Sequence, residues 1–138
     1  NAAYLYAQLE VADKINDRRL AIWDKYYEGL KELKDEGKIE LQVIPEGCKH
    51  NAHMFFMKAK DLQERTELIK YLKENEIQTV FHYIPLHTAP AGIKYGRFHG
   101  EDRYTTKESE RLMRLPMHYA LTDEDVECVI EKIKEFYK

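Results

Sequence analysis

Cysteine is scarce: Cys48 and Cys128 stand far apart with no CxxC spacing, so neither a disulfide framework nor a zinc ribbon is supported. That scarcity fits a reduced, cytoplasmic protein. No apolar run approaches the roughly 20 residues of a membrane span. The opening NAAYLYAQLE lacks the basic start and cleavage site of a signal peptide, and an initiating methionine is missing as well. Charge of one sign is not in excess either. Twenty-five acidic against 22 basic residues leave a net charge of -3, with the signs interleaved in runs such as KELKDEGK (Lys31 to Lys38). Such runs read as a solvated helix face and give no nucleic-acid footprint. What remains is a chain of 138 residues, 43% hydrophobic, enough for one domain with its own core.

An apolar stripe runs through Leu5, Leu9, Ala12, Ile15, Ile22, Tyr26, Leu30 and Leu33, stepping by threes and fours with a gap at Arg19. It predicts an amphipathic helix over residues 2–36. A straight rod of about 33 residues would span about 50 Å, whereas a compact domain of this length is about 37 Å across. The helix is therefore expected to bend near Asp13 to Asn16, or to rest its start against something absent from this chain. Gly37 reads as the glycine that ends it.

A sheet and helix unit follows over residues 39–83. Ile39 to Ile44 and His53 to Ala59 are strand candidates. Asp61 with Glu64 starts a helix whose apolar face is Leu62, Leu68, Ile69 and Leu72, and Asn75 closes it. The strand Gln78 to Tyr83 comes next, with Val80 and Phe81 expected to be buried. Strand, crossover helix and strand on one sheet predict a two-layer α/β fold. Residues 84–104 read as a long loop, which in a compact domain is usually functional or disordered. Thr105 with Glu108 is expected to open a helix ending at Pro116. Thr122 with Asp125 opens the last helix, with Leu121 and Val126 as its hydrophobic staple.

The chemical motifs are sparse. His50 with His53, and His82 with His87, lack the helical i, i+4 spacing or the ordered partners of a zinc site. Gly92, Gly96 and Gly100 form no phosphate-binding motif, and no serine or cysteine is set beside a base. The lysines fall mainly on polar helix faces, so no Schiff-base lysine stands out and no catalytic residue is assigned. Arg19, on an apolar face, needs a partner, expected to be a carboxylate first and a ligand second. The stretch TVFHYIPLHTAP differs from these. It ends a strand by placing His82, Tyr83 and His87 before a long loop, where side chains are both fixed and accessible. From the residues alone two readings stay open: a ligand-facing edge, or a core tyrosine with a satisfied histidine.

The runs NAAYLYAQLE, INDRRLAIWDKYY, NAHMFF, VFHYIPLH and FHGEDRYTTKESERLMRLP, followed by the closing helix, resemble in that order the C-terminal part of a DegT-type nucleotide-sugar aminotransferase. The resemblance covers essentially the whole chain. It implies the small C-terminal domain of a fold-type-I enzyme dependent on pyridoxal 5'-phosphate (PLP), working as a homodimer with no nucleic-acid or membrane partner. The segment bearing the Schiff-base lysine would lie upstream, so the fragment would hold no cofactor and would be inactive alone. The implied reaction moves an amino group from glutamate to C4 of dTDP-4-dehydro-6-deoxy-D-glucose. By matching to the family's HY-x-P-LH segment, Tyr83 is the first choice for contact with the nucleotide-sugar, then His82 and His87. Arg103 and Tyr104 are further candidates. The alternative is an interaction module that binds a protein through its first helix.

Overall fold

The computed structural model describes residues 2–138; Asn1, which begins the NAAYLYAQLE run, lies outside the described residues. The expected first helix is two, α1 (Ala2–Glu10) and α2 (Ala12–Asp35), broken at Val11 rather than between Asp13 and Asn16. None of α1 is buried, and Tyr4, Leu5, Tyr6 and Leu9 are all exposed. The stripe therefore does its core work only from Ile22 onward, through Trp23, Tyr26, Leu30 and Leu33. At the far end Gly37 N–H donates to the Lys34 carbonyl and Lys38 N–H to the Leu33 carbonyl, both at 2.9 Å. This Schellman arrangement needs a left-handed residue, and Gly37 has φ of +73°.

Four short strands make one antiparallel sheet: β1 (Glu40–Leu41), β2 (Phe55–Lys58), β3 (Val80–Phe81) and β4 (Leu112–Leu115), in the order β1-β2-β4-β3. The predicted strand-helix-strand unit is present, with α3 (Leu62–Glu74) as its crossover. Its two strands are not neighbours, however. β4 lies between them and runs antiparallel to both, so β2 and β3 point the same way. β4 is the element the sequence reading missed: residues 105–116 were expected to be one helix. Instead α5 (Thr105–Arg111) stops, and LMRL continues as a strand with Met113 and Leu115 buried and Leu112 and Arg114 half-exposed. The physical reason is the slot between β2 and β3, whose open hydrogen-bonding edges both accept an extended run.

The expected Thr105–Glu108 cap does not form. Tyr104 occupies the N-cap position without a side-chain bond, and the Asp102 carboxylate accepts from Thr106 N–H instead. The loop 84–104 is also less irregular than expected, since α4 (Pro90–Tyr95) starts on a proline within it. Gly92 is required there, because a Cβ would sit 1.6 Å from the Leu86 carbonyl oxygen. α6 (Asp123–Phe136) has the predicted capping box, Thr122 and Asp125 bonding each other's backbone, with Leu121 and Val126 both buried beside it.

One face of the sheet carries Leu41, Phe55, Met57, Met113 and Leu115 into a core with α2, α3 and α6. Two expectations about that core need correction. Leu62 is exposed because it sits at the first turn of α3, ahead of the buried Leu68 and Leu72. Val80 and Phe81 are also exposed, because β3 is an edge strand with a neighbour on one side only. Arg19 finds carbonyls rather than a carboxylate: its Nε donates to the Ala52 carbonyl at 3.1 Å and another nitrogen to that of His53. It thereby holds Ala52, buried at a φ of +48°, at the entry to β2.

Candidate functional site

β3 hands the chain to the stretch singled out from sequence. Val80 pairs with Arg114 and Phe81 with Met113, so the strand is anchored on one edge when His82 and Tyr83 emerge. Tyr83 is 69% exposed. Its carbonyl is held by the Ser109 hydroxyl of α5 at 2.5 Å, so backbone and ring are separated in role: one is fixed, the other offered to solvent. His82 is half-buried, its ring set edgewise to Tyr83 at 4.6 Å between centroids, and its Nδ1 is buried without a partner.

The chain then turns at Pro85, whose carbonyl accepts from both the backbone N–H and the hydroxyl of Thr88 at 3.0 Å. His87 points back into the loop. Its Nε2 lies 2.8 Å from Asp102 Oδ2 and 3.3 Å from the Thr106 hydroxyl, which also donates to Asp102. The Phe98 ring packs on the imidazole at 4.4 Å. This cluster joins the two ends of the loop and so acts as a clasp. Thr106, first by its hydroxyl and then by its backbone N–H, and His87 hold the Asp102 carboxyl below its ordinary pKa of 3.8, since each stabilises the anion.

The remaining candidates are more open. Arg103 is 70% exposed and pairs with Glu101 at 2.9 Å; Tyr104 is 73% exposed at the head of α5. α5 is itself tied to the sheet by a charge network. Lys58 Nζ lies 2.6 Å from Glu40 and 2.7 Å from Glu108, while Arg111 bonds both carboxylates and the Ala59 carbonyl. The structure thus gathers Tyr83, His87 and the start of α5 around one loop. No hydrogen bond links Tyr83 directly to Arg103 or Tyr104 among the described residues.

Sequence reasoning passed over Asp102, Thr106, Ser109 and Arg114. For the first two the available signal was the i, i+4 spacing of an acid and a hydroxyl before a helix; for Arg114 it was a charge inside the alternation of LMRL. Among the described residues no group of three or more His, Cys, Asp or Glu side chains could hold an ion. Both cysteines are free and exposed.

A PLP seat needs a desolvated lysine whose amine can lose its proton. Among the described residues no lysine is buried, and the three whose pKa is displaced, Lys34, Lys58 and Lys132, are all raised by acidic or phenolic partners. These residues do not fit the cofactor's anchoring site.

The fold, a small antiparallel sheet backed by helices with a clasped loop at its edge, is found in known aminotransferases, of which it makes up about a third. Over 99% of this chain and 36% of the other, it superposes on S. venezuelae DesV solved with a ketimine intermediate, with a TM-score of 0.85 and 25% identity. A pleiotropic regulatory protein of Geobacillus stearothermophilus is 33% identical over 77% of this chain and 29% of its own length. The dTDP-3-amino-3,6-dideoxy-alpha-D-galactopyranose transaminase of Aneurinibacillus thermoaerophilus is 30% identical over 98% of this chain and 35% of its own. The chain spans about a third of the length of the curated relatives it matches. The family profile matches residues 1–134, and the chain belongs to the DegT/DnrJ/EryC1/StrS aminotransferase family.

Proposed function

We propose that this chain is the substrate-positioning C-terminal domain of a PLP-dependent nucleotide-sugar aminotransferase. Within that class we read the enzyme as a dTDP-4-amino-4,6-dideoxygalactose transaminase that serves enterobacterial common antigen biosynthesis. On this reading the whole protein is a cytoplasmic homodimer that passes an amino group from glutamate to C4 of dTDP-4-dehydro-6-deoxy-D-glucose. Cofactor and Schiff-base lysine belong to the part of the enzyme upstream of these residues. Among the described residues no helix is long and apolar enough to cross a membrane.

The observation that carries the proposal is the presentation of Tyr83. An exposed aromatic whose backbone is pinned by Ser109 offers a flat apolar face and a hydroxyl without much ordering cost on binding. His82 adds a ring nitrogen, and the His87 clasp keeps the loop in place, so these residues bind and orient and move no proton. The test is Tyr83→Ala in the enzyme that carries this chain. The sugar KM should rise, or its kcat/KM fall, while the glutamate half-reaction stays nearly intact; unchanged sugar kinetics would refute the assignment.

The second reading, an interaction module, draws support from α1, which exposes Tyr4, Leu5, Tyr6 and Leu9. A helix with this much uncovered apolar surface is built to be covered. The two readings separate by binding: a nucleotide-sugar perturbs Tyr83 in the first and leaves it unmoved in the second.

A further inference from the structure

Four buried side-chain atoms have no hydrogen-bond partner among the described residues: Arg65 Nε, Thr79 Oγ1, His82 Nδ1 and Arg114 Nε. Arg65 is otherwise engaged, donating to the Ser109 carbonyl and lying over the Phe81 ring. Arg114 is different. Among the described residues none of its nitrogens meets an acceptor, although Glu76 and Asp125 line the same cleft.

Asp125 is committed elsewhere, closing the capping box of α6. Glu76 lines the same cleft as Arg114 and forms no ion pair with it. Leaving the buried Nε–H of Arg114 unpaired is unfavourable, and neither carboxylate of the cleft meets it.

The strand register places the two orphans together. Arg114 stands opposite Val80 across the β3–β4 pair, and His82 is two residues beyond Val80. Directly opposed residues share a face and side chains alternate. Continuing that alternation one residue past the end of β3 sets His82 diagonal to Arg114, about 7–8 Å away at the backbone, on the face opposite that of Met113. Beside Arg114 opens a cleft of about 830 Å³ that is also lined by His53, His118 and Met54.

We propose that this face of β3 and β4 carries an oxyanion subsite built on Arg114 and His82. It takes a carboxylate or phosphate group of a small-molecule ligand. The guanidinium supplies a planar fork that matches such a group with two parallel hydrogen bonds, and the His82 ring nitrogen supplies a further polar contact. Tyr83 follows His82 directly, so the subsite adjoins the sugar-facing edge. It rests on the aminotransferase reading only for the source of the oxyanion: the phosphates of a nucleotide-sugar, or the carboxylate of an amino donor.

The test is an NMR titration of the 138-residue chain, following the Arg114 Nε–H and the His82 ring, with inorganic phosphate and separately with glutarate. A saturable shift at both residues is expected with at least one probe. Saturation by phosphate alone points to the nucleotide-sugar and by glutarate alone to the amino donor, and saturation by both supports the shared chemistry. Arg114→Gln should abolish it. Arg114→Lys, which keeps the charge and loses the fork, should weaken it about tenfold. The sugar kinetics of Tyr83→Ala in the whole enzyme report on the sugar assignment and the anion titration of the Arg114 variants on the subsite, so that failure of one and failure of the other are read separately. No saturable shift with either probe, or Arg114→Gln or Arg114→Lys binding as the wild type does, would overturn the proposal.

Discussion

Replacing Tyr26 with phenylalanine removes a hydroxyl from the centre of the core and leaves the ring. Tyr26 is fully buried, its ring lies 5.2 Å from that of Phe55, and its hydroxyl donates to the Pro116 carbonyl at 3.1 Å. That bond ties α2 to the end of β4, the strand that carries Arg114. At pH 7 the variant loses one neutral hydrogen bond and leaves a carbonyl poorly satisfied, a cost of about 1–2 kcal/mol.

The pH dependence sharpens the test. Burial, with the Asp125 charge adding to it, raises the phenol well above its ordinary 10.0. Below pH 10 folded and unfolded chains both hold this proton, and the raised pKa changes nothing. Above it the unfolded chain releases the proton while the folded one keeps it, so the wild type loses about 1.4 kcal/mol per pH unit from this group. The phenylalanine variant has no proton to lose. In urea unfolding followed by circular dichroism, with an unchanged m-value, the variant should be the weaker at pH 7 and the gap should close or reverse by pH 11. A gap of the same size at both values, or a variant no weaker at pH 7, would refute the reasoning.

Two further perturbations probe the loop. Gly92→Ala drives a Cβ against the Leu86 carbonyl oxygen, which is backbone and cannot swing aside. Amide exchange across α4 and residues 84–89 should accelerate, by at least tenfold for a penalty above about 1.4 kcal/mol, with the core amides of α2 and α6 unaffected. Asp102→Asn removes the anion that Thr106 and His87 stabilise. In the wild type the clasp's stabilisation is complete above pH 3.8 and is lost as pH falls through the lowered pKa of Asp102. The loop's protection factor, corrected for the intrinsic pH dependence of amide exchange, should therefore fall on acidification in the wild type, and in Asp102→Asn should lose that dependence.

Much of the fold could be read from local pattern. The caps of α3 and α6, the close of α2 at Gly37 and the apolar faces that meet in the core are each written within a few residues, because a cap or an amphipathic face is satisfied by near neighbours in sequence. LMRL was misread because four residues fit helix and strand alike; only the vacancy between β2 and β3 selects the extended form. Val80 and Phe81 were misread for the same reason, since their composition suits a central strand and their burial depends on which strand lies beside them. At the site, the pattern of HYIPLH pointed to Tyr83, His82 and His87. It could not show that His87 bonds Asp102, 15 positions away, or that Ser109 pins Tyr83.

From sequence alone came an α/β domain with a membership legible in its motifs and an aromatic, histidine-bearing strand end. The tertiary structure decided the strand order, the clasp that holds the loop, and the conjunction of Arg114 with His82. The division has one cause. Helices and caps are settled by contacts three or four residues apart, whereas a sheet edge, a clasp and an anion-binding pair are made by residues that only the folded chain brings together.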